Sequence, residues 1–201
     1  VALLYTTVSS TILVNHLRDG GNESAWRQFS ARYEPMLLAV VRRADLQEPD
    51  AADVVQETLV DFLRDFQSGK YDPQKGRIRA WLRGIAVNRV KRVWGRAAKR
   101  EVQVVDPTGA TGYLNRIPDD KTLTDIFDEE WHRAVMATCM DEVRRQVDDQ
   151  TFQAFELFAM KDWPAEKVAE HLGVTRNVVY ISKNRVLTRM RQAFQDISED
   201  W

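Results

Sequence analysis

The sequence predicts an all-α protein of two small helical domains joined by a flexible linker. Three observations predict it. Apolar residues recur at three- and four-residue steps in several segments before residue 101, the periodicity fails between Val102 and Thr124, and a helix–glycine–helix pattern lies near the C-terminus. A length of 201 residues suits two small domains. The predicted boundaries are 1–101 for a four-helix bundle, 102–124 for the linker and 125–201 for a helix-turn-helix domain.

The first predicted helix is capped by Ser9 or Ser10, runs to about Arg18 and stops at Gly20-Gly21. In the second, Trp26, Phe29, Tyr33, Met36, Leu37, Val40 and Val41 form one apolar stripe, with Pro35 a candidate kink. The third covers about Asp50 to Phe66 and buries Val54, Val55, Thr58, Leu59 and Phe62. After a loop containing Gly69, Pro73 and Gly76, the inner face of the fourth is Ile78, Leu82, Ile85, Ala86, Val90 and Val93. Pro107, Gly109, Gly112 and Pro118 mark the linker.

In the C-terminal pattern, Pro164 opens a helix whose Val168 and Leu172 face inward, and small Ala169 allows a close crossing. Gly173 makes the turn and Thr175 caps a second helix with an inner face of Val179, Val186, Met190 and Phe194. Its opposite face then carries Asn177, Tyr180, Ile181, Asn184 and Thr188, flanked by Arg176, Lys183, Arg185 and Arg191. Amides suit base edges, Ile181 a thymine methyl, and the cations flanking phosphates, so this face is a candidate for reading duplex DNA. A helical hairpin with a solvated polar face is the alternative.

Net charge is −1, but the charges are segregated. From Lys70 to Glu101 there are eleven basic residues against Asp72 and Glu101, a local excess of about nine charges. Asn88, Lys91, Arg92, Gly95 and Lys99 fall on one stripe of the fourth helix, a surface suited to a phosphate backbone. Trp81 and Trp94 flank it and read as core, with a platform for an unpaired base as the alternative. Asp45, Glu48, Asp50, Asp53, Glu57, Asp61 and Asp65 form one acidic block and Asp119, Asp120, Asp125, Asp128, Glu129 and Glu130 another, so the chain can offer an anionic face to a basic protein. The docking candidate is the third helix, through Asp50, Asp53, Gln56 and Glu57. Metal or acid-base chemistry is the weaker reading there, since no histidine lies near and His16, His132 and His171 are far apart.

No catalytic residues, metal or cofactor are expected. A nuclease or other phosphoryl-transfer enzyme lacks its phosphate-cradling glycine loop here. The lone Cys139 forms no internal disulfide and reads as buried filler in a reducing, cytoplasmic setting. The apolar first fourteen residues lack the basic leader of a secretory signal, and no run spans a membrane.

Two segments, DAADVVQETLVDFLRDF from Asp50 and IRAWLRGIAVNRVKRVWGR from Ile78, together resemble the sigma-two domain of extracytoplasmic-function sigma factors. The helix-turn-helix resembles their sigma-four domain. The resemblance implies a non-enzymatic sigma factor that directs core RNA polymerase to promoters and helps open the DNA. It implies that Asp50, Asp53, Gln56 and Glu57 meet the beta-prime clamp helices, with the beta flap as a further polymerase contact. It assigns Tyr71, Asn88, Lys91, Arg92 and Lys99 to the minus-ten element, the loop from Tyr71 to Gly76 to a flipped base, and Arg176, Asn177, Tyr180, Ile181, Asn184, Arg185 and Thr188 to the minus-thirty-five element. An anti-sigma protein or a regulatory kinase, with Thr58 as a candidate target, completes the partners. Ala52 stands where the family often has an acid. Tyr180 and Ile181 replace a common basic residue and serine, so the usual promoter consensus does not transfer. A helix-turn-helix regulator acting without polymerase is the rival reading, and it leaves the acidic third helix unexplained.

Overall fold

Helix α1, Glu23–Arg43, starts where the Asn22 side chain accepts a hydrogen bond from the Ala25 backbone N–H at 3.0 Å. Glu23 in its first turn and Arg42 and Arg43 in its last complement the helix dipole. Pro35 lies inside the helix on its exposed side. The structure is a computed structural model describing residues 16–17, 22–72, 74–104 and 118–200, with side chains described outside 99–104 and 196–200. Of the helix predicted from Ser9 to Arg18, only His16 and Leu17 fall among them; both are helical and Leu17 is buried.

Helix α2, Glu48–Gln67, opens with Pro49 in its first turn, where its missing N–H costs nothing. Helix α3, Ile78–Val104, buries Leu82, Ala86, Val90, Trp94 and Ala98, a regular four-residue step. The three helices meet around aromatic rings: Phe29 stacks on Phe62 with centroids 4.6 Å apart and meets Tyr33 at a tilt, 4.3 Å away. Trp94 belongs to this core, with its indole N–H donating to the Ala44 carbonyl at 3.1 Å, so it is no platform for a base.

Helix α4, Asp120–Gln146, departs from the expected domain boundary. The chain divides into two units after His132, and residues 120–132 cluster with the first. Leu123, Phe127 and Trp131 are buried one turn apart, and Trp131 meets Tyr33 at 5.9 Å. Helical structure also reaches into both ends of the expected linker, through Val104 and from Asp120, while residues 105–117 lie outside the described residues.

In the second unit, α4 buries Val135, Cys139 and Val143. Helix α5, Asp149–Phe155, is capped by Asp148, whose carboxylate accepts from the Thr151 N–H at 2.7 Å and its hydroxyl at 2.9 Å. Those hydrogen bonds, the backbone one foremost, hold the Asp148 carboxyl below the usual carboxylate range. A π-helical turn, Glu156–Met160, follows, then α6, Ala165–Leu172. Gly173 takes φ 64°, the left-handed conformation that a non-glycine residue adopts only with strain. Helix α7, Arg176–Asp200, begins with the Thr175 hydroxyl accepting from the Val178 N–H at 3.4 Å. Ala154, Ala165, Val168, Ala169 and Val179 form a core cluster.

One inner-face assignment on α7 is corrected. Phe194 is 39% exposed, and Ala193 is buried in its place. At about 100° per residue, a position fifteen residues beyond Val179 has rotated some 60° off its face. No described helix is long and apolar enough to cross a membrane.

Candidate nucleic-acid interface

The basic stretch along α3 is less cationic in space than in sequence. Arg79 donates to Asp128 at 2.6 Å and Arg83 to the same carboxylate at 3.0 Å. Lys91 pairs with Asp120 at 2.6 Å, Lys70 with Asp65 at 2.7 Å, and Lys75 with Asp72 at 3.7 Å. Arg89 turns to α2, where its Nε donates to buried Asp61 at 2.7 Å and another nitrogen to Glu57 at 2.5 Å. The Asp61 bond foremost raises the Arg89 pKa above the ordinary guanidinium value. Of that stripe Asn88 and Arg92 stand exposed, as does neighbouring Arg96, and no described carboxylate reaches either arginine. Lys99 has its side chain outside the described residues.

The acidic block between Asp119 and Glu130 is therefore not a free face for a partner. Asp128 holds Arg79 and Arg83, and Glu129 and Glu130 hold Arg43 at 2.7 and 2.8 Å, with Glu130 buried. Burying a carboxylate is tolerable only with such a partner.

Beside α3, the loop from Lys70 to Arg77 frames a pocket of about 250 Å³. Tyr71 and Trp81 line it as a stacked pair with centroids 5.3 Å apart, and Lys70, Lys75 and Arg77 line its rim chemistry. The Tyr71 hydroxyl donates to the Gly76 carbonyl at 3.2 Å, tying the loop's two ends. Trp81 also packs on Phe62 at 5.1 Å, so one indole serves both core and pocket. The sequence reading set core packing for Trp81 ahead of a platform for an unpaired base, and the structure gives it both a core contact and a place in the pocket lining.

On α2, Asp50, Asp53, Gln56 and Glu57 are all exposed. They are not equivalent. Glu57 is committed to Arg89, and Gln56 donates to Glu34 at 3.3 Å. Val60 joins this face at 54% exposure, three residues past Glu57 and seven past Asp53. An apolar side chain in phase with the acids was the available signal for it. Thr58 is corrected as a kinase target: it is buried, with its hydroxyl donating to the Val54 carbonyl at 2.7 Å.

On α7, Arg176, Asn177, Tyr180, Ile181, Asn184, Arg185 and Thr188 are all exposed, while Val179, Ser182 and Val186 are buried. Ile181, Asn184, Arg185, Thr188, Arg189 and Gln192 line one open groove. Arg176 pairs with Glu166 at 2.8 Å and Arg185 approaches Asp148 at 3.7 Å. The Arg176 hydrogen bond holds the Glu166 carboxyl below its usual range.

Residues 29–100 match the family model of sigma-70 region 2, which spans α2 and most of α1 and α3. No curated protein matches the sequence. Among solved structures, CnrH in complex with the cytosolic domain of CnrY aligns with 92% of this chain and 96% of its own, at 20% identity and a TM-score of 0.36. A superposition that loose supports no inference.

Proposed function

We propose, from the match of residues 29–100 to sigma-70 region 2, that the chain is a sigma factor of the extracytoplasmic-function kind. In this reading it acts by binding, without catalytic residues or cofactor, and brings core RNA polymerase to promoters and helps open them. The observation that carries the reading is the match of residues 29–100 to region 2, on which the acidic α2 face and the Tyr71–Trp81 pocket both lie. The face formed by Asp50, Asp53 and Val60 supports docking on the beta-prime clamp helices, because a carboxylate rim beside an exposed apolar group suits a basic partner.

The pocket supports capture of a base from the melted strand. Unstacking costs a few kcal/mol, and an aromatic floor with cations at the edge offsets that cost. The exposed face of α7 supports contact with the minus-thirty-five element. An anti-sigma protein belongs to the same reading, carried over from the family resemblance. A regulator acting without polymerase would give the α2 face nothing to do.

Run-off transcription decides between the two. Core polymerase supplemented with the full chain is expected to initiate at discrete sites on genomic fragments, and transcription that stays at the core-only level overturns the proposal. The ion pairs along α3 also revise the expected salt dependence. Six neutralised phosphates would give a slope of log K against log salt near −5, but with most of these cations internally paired the stripe contributes about −2 to −3. Arg92→Ala and Arg96→Ala are each expected to make the slope shallower by about 1, and Arg83→Ala to leave it unchanged. Fluorescence anisotropy on a labelled promoter duplex across a salt series reads all three.

A further inference from the structure

We infer that α7 reads a thymine through its C5-methyl group, and that Ile181 is the residue that touches it. The inference rests on the proposed DNA-binding role of α7 and adds the base that the helix selects.

Ile181 sits at the centre of the exposed face, between Asn177 one turn before and Asn184 and Arg185 one turn after, and it is 55% exposed. With Val178 and Tyr180, also exposed, it gives this face an apolar centre that forgoes burial unless something covers it. Along the major groove the thymine methyl is the one alkyl group that projects from a base edge; the other projecting groups there are hydrogen-bond donors and acceptors. A base-reading helix with an apolar centre therefore matches an A·T pair in one orientation.

The cations around Ile181 favour the same choice. Guanine is commonly read by an arginine in two parallel hydrogen bonds, which needs an arginine free to turn into the groove. Here Arg176 is held by Glu166 at 2.8 Å and Arg189 donates to Gln146 at 3.0 Å. Arg185 approaches Asp148, whose carboxylate is itself fixed by two hydrogen bonds from Thr151. Lys183 lies 5.2 Å over the Phe158 ring. Arg176, Lys183 and Arg189 each give up an internal contact, a small cost for an exposed pair, before reading a base. Asn184 carries no such contact among the described residues, and its amide fits the N6 and N7 edge of an adenine on a neighbouring pair.

The test uses the full chain with core RNA polymerase. Bound duplexes are selected from a randomised pool, and the enriched upstream element is resynthesised with deoxyuridine at each thymine in turn, which deletes one methyl and nothing else. One such substitution is expected to weaken wild-type binding about three- to fourfold, the value of one buried methyl group. Ile181→Ala should bind the thymine and uridine forms equally, because its contact is already gone, and should keep the wild-type melting temperature. An enriched element indifferent to uridine, or a variant that retains the full uridine penalty, overturns the assignment of Ile181 while leaving DNA binding in place. Failure of any duplex to be enriched overturns the DNA-binding role, and this inference with it.

Discussion

Arg89→Ala is expected to cost the first unit about 2–3 kcal/mol of unfolding free energy. The guanidinium is the link from α3 to two carboxylates of α2, Asp61 and Glu57, and its loss leaves buried Asp61 with Arg64 alone, at 2.7 Å. Removing one partner of a poorly solvated pair strands the other charge; the side chains here keep 20% and 12% exposure, which places the cost toward the low end of the usual range. Replacing both groups by apolar residues, Asp61→Leu with Arg89→Met, should restore most of the loss. Urea unfolding followed by circular dichroism separates these outcomes, and a single variant within about 0.5 kcal/mol of wild type would show that water already solvates the carboxylate.

The second large effect concerns polymerase. Asp53→Lys combined with Val60→Lys is expected to weaken co-purification with core RNA polymerase by about thirtyfold, the loss of roughly 2 kcal/mol typical of a contact near an interface centre. Asp53 and Val60 are exposed, so the urea midpoint should stay unchanged. Glu57 is a poorer choice for the same experiment. A lysine there would face Arg89, and a lost partner could then mean a damaged bundle rather than a missing contact. Undiminished co-purification by the double variant would remove α2 as the docking helix.

Local physics made much of the fold legible before the structure. Phe29, Tyr33 and Leu37 on α1 and Leu82, Ala86 and Val90 on α3 follow the helical period and are buried as that period requires. The turn at Gly173 and the cap at Thr175 follow from residue chemistry alone. What depends on long-range pairing was not legible. Arg79 and Asp128 lie 49 residues apart, and Arg43 and Glu130 lie 87 apart, so counting charge along the chain overstated the cationic surface of α3 and invented an anionic face on α4. The four-residue spacing of Leu123, Phe127 and Trp131 was visible, but period shows only that a face is apolar, not which bundle it joins. On the candidate surfaces one role had the same character: Trp81 acquires its place from Phe62 and Tyr71 on other segments.

Cys139 is the chain's one thiol, and it is completely covered within α4. Burial pushes its pKa up, so at neutral pH it is a protonated thiol out of reach of alkylating reagents, which attack the thiolate. Each labelling event thus requires that part of the second unit to open, and the rate at which native protein takes up iodoacetamide becomes a clock for that opening, with no engineered probe. The same cover protects the thiol from peroxide, so oxidants reach this protein through its methionines, among them exposed Met136 and Met160, before they reach its cysteine.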